Sequence, residues 1–179
     1  MNWDTYYYNI CNAVATKSSC LSRQIGAILV RDKSIVATGY NGVPRGIPHC
    51  NSLERRNALI IQLGLLPFDG DMDKTNLVNK LRTELNTCPR KLLGFESGEG
   101  LLYCNAAHAE RNCLINAARL GVSTLGTTLY LNTLLPCKDC LLELINAGVW
   151  EIVALELKQY NDIDFLLYHS GIKVRTFEL

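Results

Sequence analysis

Chemistry is concentrated in two short stretches of the chain. In "YCNAAHAERN", Tyr103 to Asn112, Cys104 stands four residues before His108, and Glu110 follows two later. A thiol and an imidazole at that spacing are candidate ligands of one metal ion. The second stretch is "PCKDC", Pro136 to Cys140. Cysteines three apart in a first helical turn share one face. They also sit at the positive end of the helix dipole, which favours the metal-binding thiolate. Taken alone, such a pair is ambiguous between zinc and a redox dithiol. The redox reading needs a thioredoxin-like setting, whereas this motif opens a helix late in the chain.

Combining the stretches narrows the chemistry. His108, Cys137 and Cys140 make three zinc ligands, and a catalytic zinc keeps its fourth position for water. A structural zinc would need a fourth protein ligand nearby. Glu110 is not needed as a ligand, but it is placed to manage the protons of a zinc-bound water. Two residues apart is about 200° around a regular helix, so His108 and Glu110 face one site only at an irregular helix start. Singly, His108 reads as a satisfied helix-start residue and Glu110 as a solvated first-turn acid. Jointly, H-x-E followed downstream by P-C-x-x-C is the motif of zinc-dependent nucleobase deaminases.

The elements that must position these residues follow from hydrophobic periodicity. Trp3, Tyr7, Ile10 and Val14 recur at helical spacing, predicting an amphipathic helix from Asn2 to about Lys17. "QIGAILV" and "SIVATGY" are β-branched-rich runs around the turn "RDKS", a hairpin signal. The Gly/Pro-rich "NGVPRGIP" is a shaped loop. Between 51 and 103 the pattern is irregular, with helices expected at "LERRNALIIQLG" and "KTNLVNKLRTEL" around the turn-like "PFDGD", and a loop at "FESGEG". Beyond it, helix and strand patterns alternate: "HAERNCLINAARLG", "TTLYLN", "CKDCLLELINAG", "EIVALE", "IDFLLYHSG" and "KVRTFE". That order implies βαβ units with parallel strands behind an antiparallel hairpin. A chain of 179 residues is expected to form a single domain, 1–179, with 51–103 as an irregular insertion.

Composition excludes several function classes. Hydrophobic residues at 48% and charged ones at 20% describe a globular chain, not a disordered one. Lys and Arg total 18 against 17 Asp and Glu, so no overall basic character marks it for nucleic acid. No apolar run is long enough for a bilayer, and "MNWDTYYYNI" does not read as a signal peptide. A cytoplasmic location is expected, where eight cysteines suggest metal before disulfides.

The sequence resembles the deoxycytidylate deaminases, a branch of the cytidine deaminase-like superfamily. "SSCLSRQIGAILVRDKSIVATGYNGVPRGIPHC" is similar to that family's hairpin and G-Y-N-G-x-P loop, and "CNAAHAERN" and "LLPCKDCLLELINAGVWEIV" to its zinc-binding segments. The resemblance implies a three-layer α/β/α fold with a mixed five-stranded sheet. It implies hydrolysis of deoxycytidylate to deoxyuridylate and ammonia, with Glu110 as proton shuttle. It implies substrate contacts from Asn41, Ala109 and Tyr160, with Lys17 and Arg23 near the phosphate. For Asn41 a turn residue tolerating left-handed geometry is the rival reading. "LYLNTLLPC" is one residue longer between strand and Pro136 than the family pattern, which leaves another cytosine nucleotide, dCTP or a 5-substituted dCMP, as an alternative substrate.

The resemblance further implies a homo-oligomer, a hexamer, with dCTP and dTTP as effectors bound with Mg²⁺. Gly42 and Arg45 are then the effector contacts. It also implies a second, structural Zn²⁺ held by Cys20, Cys50, Cys88 and Cys104, with His49 able to replace one of them; four unrelated buried thiols are the alternative. Cys11 and Cys113 read as small core residues. Two other functions remain: a tRNA-type adenosine deaminase, which would need a basic face, and a non-catalytic zinc-stabilised binding module.

Overall fold

The computed structural model describes residues 1–66, 71–96, 98–158 and 163–179. Two compact units emerge, one of 1–18, 24–42 and 107–179, the other of 19–23 and 43–106.

The first unit is built on a five-stranded sheet, β1 (Gly26–Arg31), β2 (Ser34–Tyr40), β3 (Thr128–Leu134), β4 (Glu151–Glu156) and β5 (Lys173–Thr176). Its spatial order is β2-β1-β3-β4-β5. β1 runs antiparallel to β2 and β3, whereas β3, β4 and β5 are parallel. The hairpin turn puts Asp32 and Lys33 at φ of 50° and 61°, the left-handed pair whose twist suits a two-residue connection. The expected strands and the parallel crossover are therefore present.

One face of the sheet is covered by α1 (Trp3–Ala15), where Tyr7 and Cys11 pack on Ile28, Val30, Tyr130, Val153 and Phe177. The other is covered by α5 (Ala109–Arg119) and α6 (Lys138–Asn146), whose Ala109, Cys113, Ala117, Leu141 and Leu144 meet Leu29, Leu129, Leu131 and Ile152. This is the expected α/β/α layering. α7 (Asp164–Ser170) precedes β5 and ends at Gly171 in the left-handed conformation. α1 begins one residue later and ends two earlier than its periodicity suggests. Asn2 caps it by accepting from the Thr5 N–H at 2.7 Å.

Two glycines set how closely these layers approach. A Cβ on Gly39 in β2 would lie 2.3 Å from the Cys113 nitrogen and 2.4 Å from the Ala109 carbonyl oxygen. A Cβ on Gly26 in β1 would lie 2.1 Å from the Cys11 carbonyl. In both places a strand meets helix backbone directly, so neither position tolerates a side chain without moving a helix. The register of β3 against β4 slips by one residue between Leu131 and Leu134, a β-bulge in the stretch that is one residue longer than expected.

The second unit holds α2 (Leu53–Gln62), α3 (Met72–Thr83), α4 (Pro89–Leu92) and a single 3₁₀ turn, Leu101–Tyr103. Leu59, Ile60, Val78 and Leu81 form its own core. The two expected helices are present. α4 and the 3₁₀ turn are too short to leave a periodic signal. Much of the "PFDGD" turn and Ser97 of "FESGEG" lie outside the described residues. No described helix is long and apolar enough to cross a membrane.

Asp4 fastens α1 to the far edge of the sheet. Its carboxylate accepts from Arg175 at 2.5 and 3.1 Å and from the Glu178 N–H at 2.9 Å, while Arg175 also pairs with Glu151 at 3.2 Å. Burial opposes the charged carboxylate, but the Arg175 hydrogen bonds, the Glu178 N–H and the Arg175 charge together hold its pKa below the usual 3.8. A lowered pKa stabilises the fold above the unfolded value, and that contribution is lost as pH falls through the folded value. Asp4→Asn is therefore expected to cost about 1–2 kcal/mol near neutral pH, after discounting for solvent at Arg175. In denaturant titrations the gap to the parent protein should close below about pH 4.

Candidate active site

The sheet brings three strand ends to one edge. β1 is antiparallel to its neighbours, so its start lies beside the ends of β2 and β3. Ligand sites of α/β sheets form outside the carboxyl ends of parallel strands, and β3 delivers Leu135, Pro136 and Cys137 there. Cys137 is the N-cap of α6, and Cys140 is the third residue of its first turn. His108 is the N-cap of α5, with extended backbone at φ −73° and ψ 155°. Both caps leave their helix amides without a side-chain acceptor, so each helix turns its positive end toward this edge.

The His108 Nδ1 lies 3.5 Å from the Cys137 Sγ and 3.4 Å from the Cys140 Sγ. Among the described residues this is the group of three whose ligand atoms lie within 4.8 Å of one another. Zinc bonds of about 2.3 Å to sulfur and about 2.0 Å to nitrogen, at a tetrahedral angle, require S···N separations of about 3.5 Å. The donor set therefore fits zinc both in chemistry and in spacing. The irregular helix start required for His108 and Glu110 is the N-cap itself: the histidine lies outside the helix and the glutamate within its first turn.

The electrostatics of the cluster favour a thiolate on Cys137 beside a protonated imidazole. The hydrogen bond from Cys140 pulls the Cys137 thiol down to about 3 against the effect of burial, and His108 adds to the pull. The same bond and burial push Cys140 up. The Cys137 contact raises His108 despite burial, helped by the Glu110 charge. Glu110 is buried, and that burial raises its carboxyl above the ordinary range, with its own backbone amide and His108 opposing. A carboxyl so placed holds a proton more readily than a solvated one, which suits acid–base work.

Supports around the cluster were not visible in residue spacing. Arg111 donates through Nε to Glu143 at 3.0 Å and has NH2 3.9 Å from Asp139, tying the start of α5 to α6. Gly42 and Ala107 exchange backbone hydrogen bonds at 3.1 and 2.9 Å, joining the loop after β2 to the residue before His108. Asn41 is buried, and its Oδ1 accepts from the Ile25 N–H at 2.8 Å and from Ser18 Oγ at 2.6 Å. Asn132, in the β3 bulge, accepts from the Gly26 N–H and donates to Asn12. These pairs join residues 16 to 120 positions apart, and no local pattern announces them.

The other expected contacts distribute as follows. Ala109 is fully buried at the first position of α5. Lys17 is exposed just past α1, and Arg23 and Arg45 are exposed in the second unit. Both backbone groups of Gly42 are taken up by Ala107. Tyr160 lies outside the described residues. Cys20, Cys50, Cys88 and Cys104 all fall in the second unit, apart from the His108 cluster by chain assignment. No disulfide joins any of the eight cysteines.

This fold and donor set define a mononuclear metal centre on an α/β sheet, its ligands presented by two helix starts. The family model for the cytidine and deoxycytidylate deaminase zinc-binding region matches residues 1–156, and the chain belongs to that family. The deoxycytidylate deaminase of enterobacteria phage T2 is 31% identical over 92% of this chain and 87% of its own length. That of Saccharomyces cerevisiae is 29% identical over 98% of this chain. The chain spans 45% and 44% of the two fungal relatives' length, less than half of each. The dCMP deaminase of cyanophage S-TIM5, crystallised with dCMP and dUMP, shares the fold with a TM-score of 0.61 at 23% identity, covering 97% of this chain and 95% of that one. Cys140→Ser is expected to remove about one zinc ion per chain in elemental analysis while leaving the circular dichroism of the fold in place.

Proposed function

We propose that this protein hydrolyses deoxycytidylate to deoxyuridylate and ammonia. The observation that carries the reading is the three-donor cluster of His108, Cys137 and Cys140, matched to zinc, with a buried Glu110 in the first turn beside it. Family membership and relatives named for this activity support it. A non-catalytic zinc module would need neither an incomplete ligand set nor a buried acid.

Zinc held by His108, Cys137 and Cys140 would supply a water acidified to a pKa of about 7. Glu110 accepts a proton as the water oxygen bonds to C4 of the cytosine. It delivers that proton to ring N3, takes the second from the hydroxyl now on C4 and passes it to the 4-amino nitrogen, which departs as ammonia as the C4–N bond breaks and C4 becomes a carbonyl. The carboxylate ends the cycle as it began. Asn41, fixed through Ser18 and Ile25, would contact the sugar or base, and Ala109 would present backbone at the helix start. Lys17 and Arg23 are the proposed phosphate contacts, and Tyr160 would sit beside the substrate. We take the chain as one deaminase domain, 1–179, in which 51–103 is an irregular insertion.

The same reading includes a second zinc on Cys20, Cys50, Cys88 and Cys104. In its support stands only that Cys104, Cys88 and Cys20 lie near enough to Cys50 to act on its thiol. It also includes a cytoplasmic hexamer regulated by dCTP and dTTP with Mg²⁺, through Gly42 and Arg45.

Glu110→Ala should keep its zinc and lose turnover by about 10²–10⁴-fold; normal turnover would remove Glu110 from the mechanism. A panel of deoxycytidylate, deoxycytidine and deoxycytidine triphosphate, followed by loss of the cytosine ultraviolet spectrum, should show the monophosphate preferred. Elemental analysis of the whole protein should find about two zinc ions per chain, whereas about one would exclude the four-cysteine site.

A further inference from the structure

Asn41 stands where the ladder between β1 and β2 stops. The register that pairs Gly26 with Tyr40 sets Ile25 opposite Asn41. The Asn41 N–H donates to the Ile25 carbonyl at 3.1 Å. In a regular antiparallel ladder such a pair exchanges a second bond, from the opposing N–H to the opposing carbonyl. Here the Ile25 N–H donates at 2.8 Å to the side-chain oxygen of Asn41. The amide oxygen thus stands where a strand carbonyl would accept, and the Asn41 main-chain carbonyl is turned toward Ser18. The Ser18 Oγ lies 2.7 Å from that carbonyl oxygen and 2.6 Å from the Asn41 Oδ1.

The chemistry of this contact assigns the roles. An N–H can face only an acceptor, so the atom that Ile25 and Ser18 share is the amide oxygen, and the serine hydroxyl must donate. Its single hydrogen lies between two acceptors of one residue, main chain and side chain, and so fixes the Asn41 side chain against its own backbone. Both residues are buried, Ser18 at 7% exposure and Asn41 at 8%, so bulk water does not readily replace a lost bond. Ser18 is itself held. Its N–H donates to the Ala15 carbonyl at 2.9 Å, where α1 ends, and its carbonyl accepts from Gln24 Nε2 at 3.1 Å. On the far side of Asn41, Gly42 exchanges backbone hydrogen bonds with Ala107, the residue before His108. The serine hydroxyl therefore heads a run of bonds that passes through Asn41 and Gly42 to the segment carrying a metal donor.

We propose that Ser18 is a positioning residue for the substrate, acting through Asn41: it sets the orientation in which that side chain meets the sugar or base of the nucleotide. The proposal rests on the reading of Asn41 as a substrate contact. It adds that the fit of the nucleotide depends on a hydroxyl at the end of α1, far from Asn41 in sequence. Ser18→Ala isolates that hydroxyl, because both backbone bonds of residue 18 remain.

The test uses the whole zinc-loaded protein and steady-state kinetics on deoxycytidylate, with zinc content and circular dichroism as controls. Ser18→Ala should raise KM about 3- to 10-fold with a smaller effect on kcat, as loss of a binding contact does. Its zinc content should match the parent's. Ser18→Thr, which keeps the hydroxyl, should bring KM back toward the parent value. Added to Asn41→Ala, Ser18→Ala should raise KM no further, because no side chain is left to orient. If Ser18→Ala does not fold, Ser18→Cys, of similar volume but a weaker donor, carries the same expectation in direction. A parental KM in the Ser18 variant, with a raised KM in Asn41→Ala, would overturn the proposal and leave the Asn41 contact standing. Losses from the two positions that add in full would overturn it as well, since Ser18 would then act independently of Asn41. A parental KM in Asn41→Ala removes the Asn41 contact and the proposal with it. A parent that does not turn over deoxycytidylate fails the functional reading and ends the proposal too.

Discussion

Compensation of buried negative charge on sulfur governs how this protein is put together. A thiolate in a protein interior is costly unless positive charge is close at hand. At the His108 cluster that charge is supplied by two helix N-termini and the imidazole, and a bound zinc ion would add to it. The sheet topology converges α5 and α6 on one edge, and Cys137 already tends to its thiolate form there. In the second unit the buried positive charge lies on Arg55 and Arg56 of α2.

Close approach of backbone to backbone is the mechanical counterpart of that electrostatics. Gly39 lets β2 touch α5 at Ala109 and Cys113, one turn from His108. Gly26 lets β1 touch α1 at Cys11, and its N–H is held by Asn132 in the bulge of β3. Bulges re-aim chain next to functional sites. Here one lies between the central strand and the residues that lead into Cys137. The paired Gly42 and Ala107 then couple the loop after β2 to the segment before His108. Asn41 and the metal donors are thereby held by the same few backbone contacts, with precision that does not depend on long side chains.

Local chemistry was readable wherever it was written in short-range order. The hairpin, the alternation of strand and helix after 107, and the pairing of His108 with Cys137 and Cys140 all follow from patterns a few residues long. Element ends were less legible. His108 and Cys137 prove to be caps outside their helices, and caps are decided by hydrogen-bond geometry that composition only biases. The elements between 84 and 103 left almost no signal, because a four-residue helix and a single 3₁₀ turn are shorter than any helical period.

By itself the amino-acid sequence determined the donor set, the acid two residues after the histidine, and the α/β order that could unite them. Those depend on residue type and near spacing. Only the tertiary structure decided that Cys104, four residues from His108, falls in a different compact unit. It also decided that Asn41 is fixed by Ser18 and Ile25, and that Arg55 and Arg56 are buried. The physical reason is the same in each case. Burial and long-range hydrogen bonding are properties of how segments meet, and an arginine on a short amphipathic helix reads as solvated until its neighbours close over it.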